Sequence, residues 1–320
     1  MSRTVWLPRA LPLTAVVLLA GTVACVQRTD RSPVAAPTTA ADRPTTSSPS
    51  SPSRPSSTQP PTTSTTATPP PFDLTSARPP TTLAGDPAAL AAQITATEGV
   101  LRDPAARGQA VSEAALAQQL AYRQLGDRPE WDAPVLAAVP PELHPAVTRH
   151  ASARREFSAM HRKLSTTLPS WRIVPPAPPD ELQAEYQAAA AEFGLPWHYL
   201  AAINLVETAT GRIRGTSTAG AQGPMQFLPA TWAAYGGGGN INDVHDAIFG
   251  AARYLAANGG ATDMHNALWH YNHSDHYVLG VMLYADLLAE HPLAWRAFYH
   301  WGVWYRMAAG DTYLPVGYGE

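Results

Sequence analysis

Pro196-Trp197-His198-Tyr199-Leu200-Ala201-Ala202-Ile203-Asn204-Leu205-Val206-Glu207 decides how this chain is read, together with Gly220-Ala221-Gln222-Gly223-Pro224-Met225-Gln226-Phe227-Leu228-Pro229 a short way on. The first stretch has helical spacing. Its proline suits an opening turn, and Leu200, Ile203 and Val206 recur on one face. It ends on a lone acid with apolar neighbours. The second stretch is punctuated by glycine and proline and reads as a loop, closed by Pro229, which can open the next helix. The frame is a helix that delivers one carboxyl group to the foot of a glycine-rich loop.

Helical signals continue on both sides. Asp180 can cap a helix that runs to Phe193 and stops at Gly194. Downstream, Pro229 opens a helix through Trp232 and Tyr235, and Gly236 to Gly239 form a turn. Residues 243–258 are helical, Asp263 caps Met264–Tyr271, and His276 to Glu290 make an amphipathic helix. Upstream, Pro87 follows Asp86 and starts a helix with Leu90, Ile94 and Leu101 as its apolar stripe. A second helix covers Ala114 to Leu125, and a third covers Pro145 to Leu164. The prolines of Trp171-Arg172-Ile173-Val174-Pro175-Pro176 make that segment extended. No stretch carries a convincing strand signal, so the expected class is mostly α.

The N-terminus reads differently. Arg3 and Arg9 precede the apolar run Leu11 to Ala24, so residues 1–24 have the pattern of a secretory signal, the run being short for a membrane span. Cys25 is the sole cysteine. Thr22-Val23-Ala24-Cys25 resembles a lipobox with Thr22 where leucine is usual, which would place a lipid on Cys25. Ordinary cleavage after Ala24, leaving a free thiol, is the alternative. Residues 25–83 are Pro, Ser, Thr and Ala with almost no large apolar side chains, the composition of a disordered, semi-extended linker. The expected layout is a signal segment, this linker, a helical segment at 84–180, a helical domain at 181–291 and an aromatic-rich tail at 292–320. A net charge of −3 offers no footprint for nucleic acid.

The run from Glu207 through Gly220-Ala221-Gln222-Gly223-Pro224-Met225-Gln226 to Tyr271-Asn272 resembles the catalytic domain of the soluble lytic transglycosylases, relatives of goose-type lysozyme. The resemblance covers about a third of the chain, and the lipoprotein-like start and linker are similar to actinobacterial members. It implies a lysozyme-like helical domain that cleaves the MurNAc–GlcNAc bond of peptidoglycan strands and closes a 1,6-anhydro ring. Glu207 would be the sole general acid and then base. Thr208 stands where serine is usual. Ser217 and Gly223 would line the substrate groove, and Met225 and Gln226 would contact the N-acetyl group and flanking oxygens. Tyr271 would orient Glu207, with Asn272 supporting the groove. Pro224, where leucine is common, and His273-Ser274, where glycine is frequent, depart from the pattern.

The residues support such chemistry on their own terms. A proton donor to a glycosidic oxygen must hold its proton at working pH. The end of a helix and apolar neighbours such as Leu205, Val206, Met225 and Phe227 both disfavour a charged Glu207. Asp243 and Asp246 are the candidates for a second acid and read more simply as a helix cap and a first-turn charge. His265, His270, His273 and His276 lack a metal-binding spacing, so neither metal nor cofactor is expected. In the tail, Trp295, Phe298, Tyr299, Trp301, Trp304 and Tyr305 fall at spacings suited to a core helix packed on the domain, with sugar stacking as the other role. The expected partners are glycan strands and, through Cys25, a membrane; the expected location is outside the cytoplasm, anchored or secreted.

Overall fold

The Asp86 side chain accepts a hydrogen bond from the amide of Ala89 at 2.8 Å, and Pro87 fills the next position. The first helix, α1 (Pro87–Arg102), therefore starts where its capping residues stand. The computed structural model describes residues 78–161 and 163–320. The signal segment 1–24, Cys25 and all but the last residues of the linker 25–83 lie outside them.

Helices α2 (Gln109–Gly126), α3 (Asp132–Ala138) and α4 (His144–Ala159) follow α1, then α5 (Pro179–Phe193) and α6 (Trp197–Thr208). The second half holds α7 (Pro229–Tyr235), α8 (Val244–Ala257), α9 (Met264–Tyr271), α10 (Asp275–Glu290) and α11 (Ala294–His300). The described residues are mostly helical, as expected. Helix α10 packs on both α4 and α6. The main core accordingly runs from Leu101 and Val111 through Phe157, Tyr186 and Ile203 to Val281 and Phe298, so the segment at 84–180 and the later helices share one interior.

Four short strands are the departure from the sequence reading. Strand β1 (Arg172–Ile173) pairs antiparallel with β2 (Ile213–Arg214), and β3 (Val303–Met307) with β4 (Gly310–Leu314). The tail is thus one short helix and a hairpin rather than one long helix. Val303 and Tyr305 are buried while Trp304 and Arg306 are only partly so. This period of two was present in the sequence but outweighed by the aromatic spacing. Ile173, Ile213, Val303, Tyr305 and Leu314 join the two sheets in a small core of their own.

Helix α2 starts at Gln109 rather than Ala114, α3 was not read from the sequence, and two further helix ends move. Helix α4 stops at Ala159 instead of Leu164, because Ser165 leaves to bridge Met307 and accepts the Ala308 amide at 2.9 Å. Helix α5 starts one residue before Asp180, with Pro179 in its first turn. Asp180 complements the helix dipole there instead of capping it.

Candidate active site

Glu207 is the penultimate residue of α6 and only 1% exposed. The helix carries it inward because Leu200 to Thr208 are all buried, an all-round apolar environment that the one-faced stripe of the sequence understated. Past Thr208 the backbone turns left-handed at Ala209, Thr210 and Gly211, with φ of 51°, 61° and 82°. That reversal ends the helix abruptly. Two of these residues are not glycine, so tertiary contacts hold the turn.

The contacts come from the loop. The Thr208 hydroxyl donates to the Pro224 carbonyl at 2.6 Å, and the Asn204 amide donates to the same oxygen at 2.8 Å. Asn204 is itself held by the Tyr186 hydroxyl at 2.6 Å. The Gly211 amide donates to Thr208 Oγ1 at 3.0 Å, so one hydroxyl joins helix end, turn and loop. Fully buried Thr208 is a pin for the loop, which explains why a hydroxyl side chain stands there.

The loop closes on itself in two places. Ser217 Oγ accepts from the Ala221 amide at 3.0 Å. Gln222 and Phe227 exchange backbone hydrogen bonds, both at 2.9 Å, around Gly223, Pro224, Met225 and Gln226. Gly223 has φ +74°, and a Cβ there would run into the Ile241 carbonyl. Gln226 takes φ +49°, a left-handed conformation uncommon for a side-chain-bearing residue, and its amide and side chain both donate to the Gly223 carbonyl. Such strain at a buried turn is typical of sites where geometry matters more than backbone comfort.

Two tyrosines finish the arrangement. Tyr271, assigned by resemblance to orient Glu207, donates its hydroxyl to the Met225 carbonyl at 2.6 Å and so fixes the loop. Tyr277, in the first turn of α10, donates to Glu207 Oε1 at 2.9 Å. The two rings lie parallel, 3° apart in tilt and 6.4 Å between centroids. Phe227 meets Tyr271 edge-on at 5.8 Å, and Met225, Phe227, Tyr271 and Tyr277 are all fully buried. Glu207 is thus buried, with the Tyr277 hydroxyl donating to its Oε1.

Asn272 caps α9 and is 5% exposed, and its Nδ2 has no hydrogen-bond acceptor among the described residues. Ser217 and Gly223 are partly exposed. Met225, Thr208 and Tyr271, expected against substrate, have no exposed surface here and shape the loop from beneath. Tyr277, Asn204 and Tyr186 were not singled out from the sequence. Their signal was available: each is a polar group on an inward helical stripe, and a buried hydroxyl or amide requires a partner.

The other candidate acids are engaged elsewhere. Asp243 accepts from the Asp246 amide at 3.0 Å as the cap of α8, and Asp246 accepts from the Asn240 amide at 2.7 Å. His276 pairs with Glu156 at 2.7 Å and His245 with Glu185 at 2.6 Å. Among the described residues no three His, Cys, Asp or Glu side chains converge as a metal site. The geometry brings together a buried carboxyl group at the end of α6, the Tyr277 hydroxyl that donates to it, and a loop pinned to the same helix end. No family model, curated protein or solved structure matches the chain.

Proposed function

We propose that this chain is a peptidoglycan lytic transglycosylase with a lysozyme-like catalytic body, cleaving MurNAc–GlcNAc β-1,4 bonds through Glu207. The observation that carries the reading is the burial of that carboxyl at the end of α6, held by Tyr277, with a loop pinned to the same helix end by Thr208 and Asn204. An ion stripped of water is costly, so such a niche favours a carboxyl that carries its proton.

In the reaction, Glu207 gives its proton to the glycosidic oxygen and the C1–O bond breaks. The substrate's N-acetyl carbonyl attacks C1 from the other face, which removes the need for a second enzyme carboxylate. Glu207, now ionised, takes the proton of the muramic C6 hydroxyl. That oxygen closes on C1 as the N-acetyl group leaves, and no water is consumed. The engagement of Asp243 and Asp246 in backbone caps favours this route over a hydrolytic muramidase, which would place a water with a second acid. Asn272 Nδ2 is the donor for the substrate oxygens. With Cys25 acylated, the enzyme is held at the membrane facing the wall; without acylation it is released.

Digestion of purified wall followed by mass spectrometry tests this. Products one water lighter than hydrolysis products are expected, and Glu207→Gln should release none while keeping its fold. Reducing ends would establish a hydrolase, and undiminished release by the variant would remove Glu207 from the chemistry. No release by the intact protein, with wall binding retained, would identify a non-catalytic binding protein.

A further inference from the structure

A small hollow lies between α2, α4, the end of α6, α10 and the start of the β3–β4 hairpin. Its volume is about 70 Å³, several times the roughly 10–15 Å³ that one water requires. Arg123, Arg154, His150 and Trp304 are among the residues that line it. The Nε atoms of both arginines, Nδ1 of His150 and the indole N–H of Trp304 are buried and have no hydrogen-bond partner among the described residues. Nδ1 of His150 carries the ring proton in one of its neutral tautomers. Arg154 is 7% exposed and His150 5%, so neither side chain turns to bulk water for a partner. Buried donors of this kind call for an acceptor.

The charges around the hollow do not cancel. Arg123 and Arg154 both pair with Oδ2 of Asp311, Arg154 at 3.2 Å. Arg154 and Arg306 both pair with Asp127, at 3.5 and 3.2 Å. Three guanidinium groups thus meet two carboxylates. Glu98, the other acid near His150, is taken up by Arg102, Tyr122 and Gln118. Burial and the charge of Arg154 hold the Arg123 pKa down to about 10, so the group is still a cation at neutral pH. An excess charge in the interior is costly unless a counter-ion meets it. The Nη2 atoms of Arg123 and Arg154 serve the aspartates while their Nε atoms do not. A planar fork would suit a carboxylate ligand. Single donors from separate side chains, beside Leu205, Val206 and Phe157, suit a small, weakly hydrated sphere. We propose that the hollow binds one monovalent anion of the halide type. The ion balances the third guanidinium and joins α2 and α4 to the hairpin. Leu205, Val206 and Ala209 form part of the wall, so the site adjoins the turn that carries Glu207. The inference holds whatever reaction Glu207 performs.

Urea denaturation of the full chain at constant ionic strength, with chloride or bromide exchanged stepwise for gluconate, tests the proposal. Stabilisation by halide should saturate as a single site, unfolding becoming about tenfold less favourable once the halide exceeds its dissociation constant tenfold. Arg154→Met leaves two guanidinium groups for two carboxylates and should abolish the halide dependence. Asp127→Asn enlarges the positive excess and should tighten halide binding several-fold. A crystal of the parent protein grown in bromide needs no variant: an anomalous peak is expected within hydrogen-bond distance of Nε of Arg123 or Arg154. Water alone in the hollow overturns the proposal. So does equal stability in halide and gluconate, or a halide effect that survives Arg154→Met or is unmoved by Asp127→Asn.

Discussion

The hydroxyl of Tyr277 lies 2.9 Å from Oε1 of Glu207, across 70 residues of sequence. Both groups are buried, at 0% and 1% exposure, so each removes a penalty the other would otherwise carry. The pair ties the end of α6 to the first turn of α10.

Tyr277→Phe keeps the ring and removes that tie. We expect kcat on wall glycan to fall about 10- to 100-fold with KM little changed, since misplacing a reacting group by about 1 Å can cost that much. Stability should fall by about 1–3 kcal/mol. Turnover and chemical denaturation of the variant measure the two effects; an unchanged kcat would show that the tyrosine has no part in positioning Glu207.

Thr208→Val should cost about 1–3 kcal/mol despite its matched shape, because the Gly211 amide loses its acceptor and the Pro224 carbonyl loses one of two donors. Thr208→Ser should keep most of the stability. Thermal melts of the two variants give the comparison, and equal loss in both would argue for the methyl group instead.

Gly223→Ala and Gly238→Ala separate conformational strain from collision. Both residues have positive φ, +74° and +83°, but Gly238 has nothing within 4 Å of an added Cβ whereas Gly223 faces the Ile241 carbonyl. The Gly238 variant should lose about 1–2 kcal/mol. The Gly223 variant should lose clearly more, together with wall-cleaving activity, because the loop around Pro224 must shift. Urea midpoints for the two proteins decide.

Acid should weaken the fold through histidines that are buried or partly buried. Burial pushes His150 down to about 4, and it moves His161 and His300 in the same direction to about 4. In the unfolded chain each titrates near 6.5. The unfolded state thus holds more protons between those values, and stability present above pH 6.5 is lost as pH falls toward 4. For His150 the full loss is about 3 kcal/mol. Since His150 stacks on Tyr122 at 4.0 Å, His150→Phe can keep the packing, and its stability should depend less steeply on pH across this range than that of the parent.

The helices near the site were legible in the chain because their causes are local. Asp86, Asp243 and Asp263 cap the helices they precede, and the stripe of Leu200, Ile203 and Val206 turns inward. The burial of Glu207 followed from the same stripe. The hairpin at 303–314 was not read, since its aromatic residues fit two periods at once and only pairing with β4 selects one.

What the sequence by itself determined was where the helices around Glu207 run, which acid is carried inward and which loop follows it. Those depend on spacing, capping and backbone restriction over a few residues. What only the tertiary structure decided was the partner of each buried polar group: Tyr277 for Glu207, the Met225 carbonyl for Tyr271, the Pro224 carbonyl for Thr208. A hydroxyl on an inward face must find a hydrogen bond, but which one it finds depends on how α6, α9 and α10 pack, and no local pattern encodes that distance.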